Sequence, residues 1–550
     1  MRNPRRTSYL ALGVAVLLAA SLSACGTGKK SGTTNPSGTS TGTKSTAPSN
    51  SSITIGTTDQ VIALDPAGSY DNGSLLLEDN IYQFLMNVPA GAKAPRTDAA
   101  QQCGFTAPTQ YTCTLKANQK FSNGDVMTAK DVAFSYQRVL KINNPNGPAS
   151  LLANMKSVKA SNDSTVVFTL KNANDQTWPF ILGTSAGPIV DSKVFPAGKL
   201  LDDSKVVGSG PYAIGSYSKN QLVALKANPN YSGANAPKTA NITLKYYTQS
   251  ENLKLDVQSG AIDIAWRSMT PTDVQSLKSN KSVKVLTGAG GEIRYLVFNL
   301  KTMPGNTAAQ KLAVRRAMAY SVDRQALATK VYKDTYQPTY SMIPSGVADA
   351  TTPFKDSYGA SPDKAKASAA LQAAGVKAPV TLNIEYTTDH YGPTSAQEYN
   401  EVKRQLEATG LFKVNLQSTA WTTYNPERVK DTYPIYQLGW FPDYVDGDNY
   451  LGPFLVENNF VGAHYCDVKA TNRPCDKDGV LPLLTQEETK TGAARTAAFA
   501  KIQKTLATGE MPYLPLLSGK QVAVTRTNIS GVQETLDPTY QFRFWLFSKS

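Results

Sequence analysis

The chain has 550 residues, of which 41% are hydrophobic and 18% are charged, and its formal net charge at pH 7 is +14. This composition is typical of a globular protein with about two to four domains and excludes a disordered or fibrous chain. Basic residues do not cluster with aromatic ones, and only one apolar stretch could enter a bilayer, which argues against a nucleic-acid partner and excludes a polytopic membrane protein.

Residues 1–24 have the pattern of an export signal. Three arginines precede an apolar stretch, Tyr9 to Ala20, which is too short to span a bilayer comfortably. The sequence Leu-Ser-Ala-Cys at 22–25 resembles a bacterial lipobox, which implies cleavage before Cys25 and a diacylglycerol on its thiol. An ordinary signal peptide is the alternative, but the cysteine at the junction and the segment that follows it favour a lipoprotein.

The segment after the predicted signal has the composition of a tether. Residues 26–52 contain only Gly, Ser, Thr, Asn, Pro, Ala and Lys. Such a segment has almost nothing to bury, so we expect residues 25–52 to be a lipidated cysteine followed by a disordered linker. The linker would hold the folded part close to the extracytoplasmic face of the cell membrane.

From residue 53 onward, strand-like segments alternate with helix-like segments, which predicts a mixed α/β protein. Alternating apolar positions predict strands at 164–170, 241–247, 294–299 and 521–525.

Helix signals are equally clear. A capping box at 128–131 predicts a helix whose apolar face comprises Val132, Tyr136, Val139 and Leu140. A second helix is predicted between Ser361 as N-cap and Gly375 as C-cap, with Pro362 in its first turn. A spacing of three or four residues predicts one face of a late helix: Arg495, Phe499, Ile502 and Leu506.

The cysteines outside the lipobox form two local pairs, Cys103 with Cys113 and Cys466 with Cys475. An even number of cysteines in an exported chain predicts two disulfides, each worth roughly 3 kcal/mol by loop entropy. A metal site built from all four thiolates is the alternative, but the spacings lack the CxxC pairs of structural zinc sites.

Catalytic signatures are missing from the sequence. It contains no GxSxG, HExxH, Walker A or dinucleotide-binding glycine motif, and it has only two histidines. The glycine-rich stretch 208–211 ends in Pro211, which has no amide N–H for a phosphate, so we interpret it as a turn that enters a strand. We therefore predict a binding protein without catalytic residues, metal or cofactor.

One segment has the chemistry of a receptor for an amine. Residues 439–446 read Gly-Trp-Phe-Pro-Asp-Tyr-Val-Asp and place two carboxylates beside three aromatic rings. A carboxylate among aromatic rings binds ammonium groups through charge-assisted hydrogen bonds and cation–π contacts. A solvated acidic loop after a buried strand explains the same residues equally well, and a calcium loop fits less because the EF-hand spacing is absent.

Ordered motifs along the chain resemble family-5 solute-binding proteins of peptide/nickel-type ABC importers. Residues 111–132 contain Y-T-C-T-L-K, then F-S-N-G, then T-A-K-D-V, in the order of the family signature. Further matching motifs follow at 207–212, 228–231, 259–263, 314–317, 323–324 and 439–446. The resemblance extends from residue 53 to the C-terminus.

The resemblance implies a fold and a domain plan. The fold would be α/β, a two-lobed flytrap of three domains with mixed sheets, like the periplasmic binding proteins of cluster C. Lobe I would combine 53–80, 190–295 and 510–550, with a small extra domain, 81–189, on it. Lobe II would be 296–509, and ligand would be buried between the lobes.

The resemblance also implies a binding site. In peptide-binding members the Asp of the G-W-x-x-D-Y motif anchors the ligand's N-terminal ammonium, and Asp443 has that position here. The predicted ligand-binding residues are Asp443, Trp440, Gly439, Tyr444, Tyr70 and Asn72. No arginine cluster that would fix a C-terminal carboxylate is evident in the sequence, so ligand length stays open.

The implied function is capture of oligopeptides for an ABC importer. The partners would be a peptide, the permease with its ATPase subunits, and the membrane through the lipid anchor; the protein would be a monomer without nucleic acid. Alternative cargoes are a nickel chelate, a sugar or an amine-containing small molecule. A secreted hydrolase is the alternative from another class.

Overall fold

The computed structural model describes residues 48–267, 269–456, 459, 461–466 and 478–550. The predicted signal, Cys25 and Cys475 lie outside these residues. Three sheets organise the described part, and they differ in size and in strand direction. Within this part, no helix is both long enough and apolar enough to cross a membrane.

The largest sheet has seven strands and is mixed. The strand Ser49–Thr57, which comes first in the chain, is parallel to both of its neighbours, whereas the other pairs are antiparallel. Ile53 and Ile55 of that strand are fully buried, so the alternation of its side chains places an apolar row in the core. The spatial order is Val283–Gly288, Gln521–Arg526, Ile264–Trp266, Ser49–Thr57, Thr239–Tyr246, Leu222–Ala227 and Tyr212–Ser218.

The predicted linker extends less far than expected. The first strand begins at Ser49, and Ser49 and Ser52 pair with Thr239 and Asn241. Residues 49–52 therefore belong to the seven-stranded sheet, not to the linker. Backbone hydrogen bonds to a neighbouring strand do not need apolar side chains, and composition alone misses such residues.

A second sheet has four antiparallel strands and a covering helix. Its strands lie in the order Ala100–Ala107, Gln110–Leu115, Thr165–Leu170 and Met155–Ala160. The helix Ala129–Ile142 starts with the predicted capping box and buries Val132, Tyr136 and Val139. Leu140 was expected on the same face but is 39% exposed, because it lies at the edge of the buried stripe.

The third sheet has six mixed strands and forms the core of the C-terminal half. Its strands lie in the order Tyr336–Pro338, Tyr513–Gly519, Ile293–Phe298, Ile435–Trp440, Val380–Thr387 and Phe412–Thr419. All six side chains of the strand Ile293–Phe298 are buried, as expected for a central strand. The helices Ala308–Ser321, Ser395–Ala408 and Gly492–Thr508 bury apolar side chains in this half, and Phe499, Ile502 and Leu506 are buried as predicted.

Shorter elements complete the fold. Two-stranded ribbons pair Met86–Asn87 with Arg96–Thr97 and Ile529–Ser530 with Ser548–Lys549. The remaining α-helices are Asn72–Ile81, Trp178–Ile181, Ser250–Ser259, Pro271–Leu277, Arg324–Ala326, Pro353–Tyr358, Lys364–Ala373, Trp421–Arg428, Gly452–Leu455 and Val480–Thr489. The turn Leu327–Val331 is a π-helix.

The predicted helix after Ser361 starts two residues later than expected. Its N-cap is Asp363, whose carboxylate accepts a hydrogen bond from the Lys366 amide, and its C-cap is Ala374. Gly375 follows with φ +66°, in the left-handed conformation that ends many helices. Asp363 is as good a cap as serine, so two adjacent candidates could not be separated from sequence.

The chain crosses between the seven-stranded sheet and the six-stranded sheet twice, at residues 289–292 and at Lys520. A Cβ on Gly290 would lie 2.0 Å from the Gly519 carbonyl oxygen, so the two crossings touch backbone to backbone. The predicted boundary at 510 differs from this arrangement, because the strand Tyr513–Gly519 still pairs within the six-stranded sheet. The return to the first sheet comes between Gly519 and Gln521; the other boundaries stay predictions.

One predicted disulfide is present. Cys103 and Cys113 are bonded and are direct partners on adjacent antiparallel strands. The second predicted pair includes Cys475, which lies outside the described residues, so that pairing stays a prediction.

Candidate functional site

A cavity of about 440 Å³ lies where two distant parts of the chain meet. One wall comes from residues 70–75, at the start of the helix Asn72–Ile81, and another from the end of the strand Ile435–Trp440 and the loop after it. Five predicted ligand-binding residues line it: Tyr70, Asn72, Gly439, Trp440 and Asp443.

Asn449 fixes the position of the Asp443 carboxylate. The Asp443 amide donates to Asn449 Oδ1 at 2.9 Å, and Asn449 Nδ2 donates to Asp443 Oδ2 at 3.0 Å. Trp440 Nε1 donates to the same Asn449 Oδ1 at 2.9 Å. Asn449 is buried and connects Trp440 with Asp443, two of the predicted site residues. It was not predicted from the sequence, because it lies beyond the segment 439–446 and the turn Gly447–Tyr450 is what returns it to that loop.

The second oxygen of Asp443 accepts a hydrogen bond from the Tyr70 hydroxyl. Burial raises the pKa of the Asp443 carboxyl, while the hydrogen bonds from Tyr70 and Asn449 lower it. Burial also raises the pKa of Tyr70, and the charge of Asp443 adds to this effect, so the phenol keeps its proton and acts as the donor. Among the described residues, the half-buried Asp443 carboxylate is therefore compensated only by neutral donors.

Asp446, the other acid of the predicted segment, has a structural role. Its two oxygens accept hydrogen bonds from Arg495 at 2.7 and 2.8 Å, a bidentate ion pair. Asp446 also caps the 3-10 turn Gly447–Tyr450, because it accepts a hydrogen bond from the Asp448 amide. This turn contains Asn449, so the ion pair supports the residue that positions Asp443.

Tyr444 does not line the cavity, in contrast to the prediction. Its hydroxyl donates to Asp448 Oδ2 at 2.7 Å, and its ring packs on Phe180 with 6.2 Å between the ring centroids. Val445 joins the same apolar cluster together with Val88. Tyr444 therefore helps to attach this loop to the part of the chain that carries the four-stranded sheet.

Aromatic rings form the rest of the wall. His390 stacks on Trp421 with ring centroids 3.7 Å apart, and Tyr391 meets the His390 ring edge-on. Burial, followed by the charge of Arg294, lowers the pKa of His390 to about 4, so this imidazole is neutral at pH 7. A Cβ on Gly439 would lie 2.9 Å from the Tyr391 ring and 3.3 Å from Arg294 Cδ, which explains why glycine occupies this wall.

A second cavity of about 410 Å³ adjoins the first and shares His390, Tyr391 and Phe441 with it. Arg267 and Arg294 both line this second cavity. No arginine cluster is evident in the sequence, but the fold brings these two arginines to one cavity. Arg267 follows the strand Ile264–Trp266 of one sheet and Arg294 lies on the strand Ile293–Phe298 of another, so only the tertiary fold brings them together.

Metal ligands were not expected from the sequence. Among the residues that the structure describes, no group of three or more His, Cys, Asp or Glu side chains is placed to hold a metal ion.

Solved structures with a similar fold cover nearly the whole chain. A dipeptide binding protein from Pseudoalteromonas in complex with Met-Leu superposes with a TM-score of 0.70 at 17% identity, over 91% of this chain and 100% of that chain. NikA from Brucella suis in complex with Fe(III)-EDTA gives a TM-score of 0.77 at 18% identity, again over 91% and 100%. These similarities confirm the predicted α/β flytrap fold.

Sequence comparison identifies relatives among curated proteins. The chain is 28% identical over 410 residues to the probable D,D-dipeptide-binding periplasmic protein DdpA of Escherichia coli, covering 72% of this chain and 75% of that protein. It is 26% identical over 379 residues to the periplasmic oligopeptide-binding protein OppA of Salmonella typhimurium, covering 64% and 68%. The family model for bacterial extracellular solute-binding proteins, family 5 Middle, matches residues 106–461. The chain therefore belongs to family 5 of the bacterial extracellular solute-binding proteins.

Proposed function

We propose that this protein captures peptides through their N-terminal ammonium group at Asp443 and delivers them to the permease of an ABC importer. The observation behind the proposal is the half-buried Asp443 carboxylate in a cavity between two distant parts of the chain, where Tyr70 and Asn449 donate to it but no cation pairs with it among the described residues. A carboxylate that is partly withdrawn from water and has no cationic partner is unfavourable, and a ligand ammonium would supply that partner.

The surroundings of Asp443 suit an ammonium group in two further respects. Trp440 and Trp421 line the same cavity, and aromatic faces attract cations when water is excluded. The hydrogen bonds between Asn449 and Asp443 hold the carboxylate in one orientation before ligand arrives, so little ordering remains to be done on binding.

Peptide cargo is favoured over other amines by the relatives. DdpA and OppA are described as dipeptide- and oligopeptide-binding proteins, and the Pseudoalteromonas protein holds a dipeptide. The cavity of about 440 Å³ is of the size that small-molecule ligands occupy. The two adjoining cavities would give a short peptide room to extend beyond its first residue.

The setting follows from the N-terminal sequence. We propose that Cys25 carries the lipid anchor and that the protein acts as a monomer on the extracytoplasmic face of the membrane. The permease and its ATPase subunits would be the partners, and the protein itself would have no turnover. Mass spectrometry of the N-terminal peptide from the membrane fraction would detect the lipidated cysteine.

Acetylated peptides test the ammonium proposal directly. Calorimetric titration with di-, tri- and tetra-alanine should show binding, and the matched N-acetylated peptides should bind about tenfold to a hundredfold more weakly, because they lack the charged donor. Equal affinity for free and acetylated peptides would contradict the assignment of Asp443, and binding of neither would contradict peptide capture.

A further inference from the structure

We propose that Phe180 is the central residue of a clasp that holds the ligand-anchoring loop, residues 443–449, in place without ligand and slows ligand release. The clasp is the buried apolar contact of Phe180 and Val88 with Val445. None of these three side chains is among the described residues that line the two cavities, so the contact needs no ligand atom to form. Only the effect of the clasp on ligand release rests on the proposed function.

The side chain of Phe180 is directed away from the core of its own sheet. The short helix Trp178–Ile181 places Trp178, Ile181 and Leu182 on one side, three or four positions apart, and all three join the apolar core of the four-stranded sheet. Phe180 lies on the opposite side of this helix, is only 8% exposed, and has its buried apolar neighbours in the clasp. The burial of Phe180 therefore depends on the ligand-anchoring loop and not on the core of its own sheet.

Buried arginines support both sides of the clasp. On one side, the carbonyl oxygen of Val88 accepts a hydrogen bond at 3.0 Å from Arg543, whose side chain is 2% exposed. On the other side, Val445 is followed by Asp446, which forms the bidentate ion pair with Arg495 at 2.7 and 2.8 Å. The clasp thus joins two parts of the chain that are each held in place independently of it.

A backbone hydrogen bond beside the clasp joins the same two parts of the chain. The amide of Gln176, just before the helix Trp178–Ile181, donates at 2.8 Å to the carbonyl oxygen of Glu488, on the helix Val480–Thr489. Burial and then the charge of Asp175 raise the pKa of the Glu488 carboxyl, so these two acids oppose the approach of the helices. The apolar clasp supplies an attraction that offsets this repulsion.

The clasp acts on the residues that hold the anchoring carboxylate. Tyr444 follows Asp443 directly, its ring packs on Phe180 with 6.2 Å between centroids, and its hydroxyl donates to Asp448 at 2.7 Å. A closed clasp keeps Asp443 against Tyr70, on the opposite wall of the cavity. A ligand bound at the carboxylate would then leave only after the clasp opens, so opening of the clasp would set the dissociation rate.

Hydrogen exchange of the Gln176 amide tests whether the clasp is closed without ligand. In the ligand-free unaltered protein this amide should exchange slowly, and in F180A and V445A it should exchange about tenfold faster or more. F105A is the matched control, because it truncates another partly buried phenylalanine of the four-stranded sheet, whose ring meets Tyr111 edge-on at 5.0 Å. If F180A fails to fold, V445A tests the same contact from the other side. Fast exchange in the unaltered protein, or slow exchange in every folded clasp variant, would overturn the inference.

Binding kinetics with tri-alanine test the effect on release. By surface plasmon resonance, the dissociation rate should rise severalfold in F180A and V445A while the association rate stays within about twofold, and F105A should match the unaltered protein. A merely structural defect would instead lower the fraction of active protein and leave the dissociation rate of the remainder unchanged. Unchanged dissociation rates in the clasp variants would overturn the role in release. Binding of no peptide would contradict the proposed function, and the exchange measurement would still decide whether the clasp exists.

Discussion

The hydroxyl of Tyr70 donates a hydrogen bond to the Asp443 carboxylate, although 373 positions separate the two residues in the chain. Tyr70 precedes the helix Asn72–Ile81, and Asp443 follows the strand Ile435–Trp440 of the six-stranded sheet. The bond thus connects the two walls of the cavity at the atom that an incoming ammonium group would need. Ligand binding and the contact between the walls are therefore expected to be coupled.

Removal of the Asp443 charge should weaken peptide binding strongly. In D443N the side chain keeps its size but loses the negative charge, so we expect affinity for tri-alanine to fall by about tenfold to a hundredfold, since a hydrogen bond to a charged group contributes roughly 1.5–3 kcal/mol. Calorimetry measures this directly. D163N, at an exposed acid of the surface, is the matched control and should bind as the unaltered protein does. Equal affinities for D443N and D163N would rule out the anchor.

The Tyr70 hydroxyl should compete with the ligand for Asp443. In Y70F the ring remains but the donor is gone, which frees one carboxylate oxygen, so we expect a gain of severalfold in affinity for tri-alanine. Y217F, which removes another partly buried hydroxyl that donates to an acid, Asp203, serves as the control. A tenfold loss in Y70F would instead show that the hydroxyl binds the ligand.

Asn449 should matter for both stability and binding. N449A removes three partly buried hydrogen bonds, those with the Asp443 amide, the Asp443 carboxylate and the Trp440 ring nitrogen. We expect the free energy of unfolding in urea to drop by about 2 kcal/mol and peptide affinity to drop with it. The exposed Asn415 provides the control variant N415A. An unfolding midpoint equal to that of N415A would contradict this role.

Peptide affinity should fall on acidification, and this fall should begin at a higher pH than it would if the anchoring aspartate were exposed. Only the ionised carboxylate attracts an ammonium group, and burial raises the pKa of Asp443 above 3.8. Protonation of the free protein therefore begins above that value and weakens binding as pH falls. His390 stays neutral down to about 4, so the decline above this pH reports on Asp443. Calorimetry at a series of pH values should show the decline in the unaltered protein and not in D443N.

Much of this architecture could be predicted because local signals were strong. The capping box before Ala129 and the alternation in 164–170 and 241–247 gave elements within one or two residues of the observed ones. Asp443, Trp440 and Gly439 were found together because they lie within one short segment. Their neighbours Tyr70 and Asn72 came only from the family resemblance, since nothing local connects them with residue 443.

Other features could not be read from the sequence for a physical reason. Arg267 and Arg294 are 27 positions apart. Arg267 follows a strand of one sheet and Arg294 lies on a strand of another, and only the crossing between the sheets brings them to one cavity. Tyr444 follows Asp443 directly, yet its ring packs on Phe180 on the far side of the loop. The direction of a side chain in an irregular loop depends on tertiary contacts, which composition and spacing do not specify.

Native mass spectrometry of the purified protein after incubation with a peptide hydrolysate tests the central claim most directly. Bound species are released by denaturation and identified by fragmentation. We predict adducts whose masses equal short peptides with free N-terminal amines, and their absence in D443N under the same conditions. Retention of a sugar or a metal chelate, with no peptide adduct from the hydrolysate, would contradict peptide capture and leave only the fold.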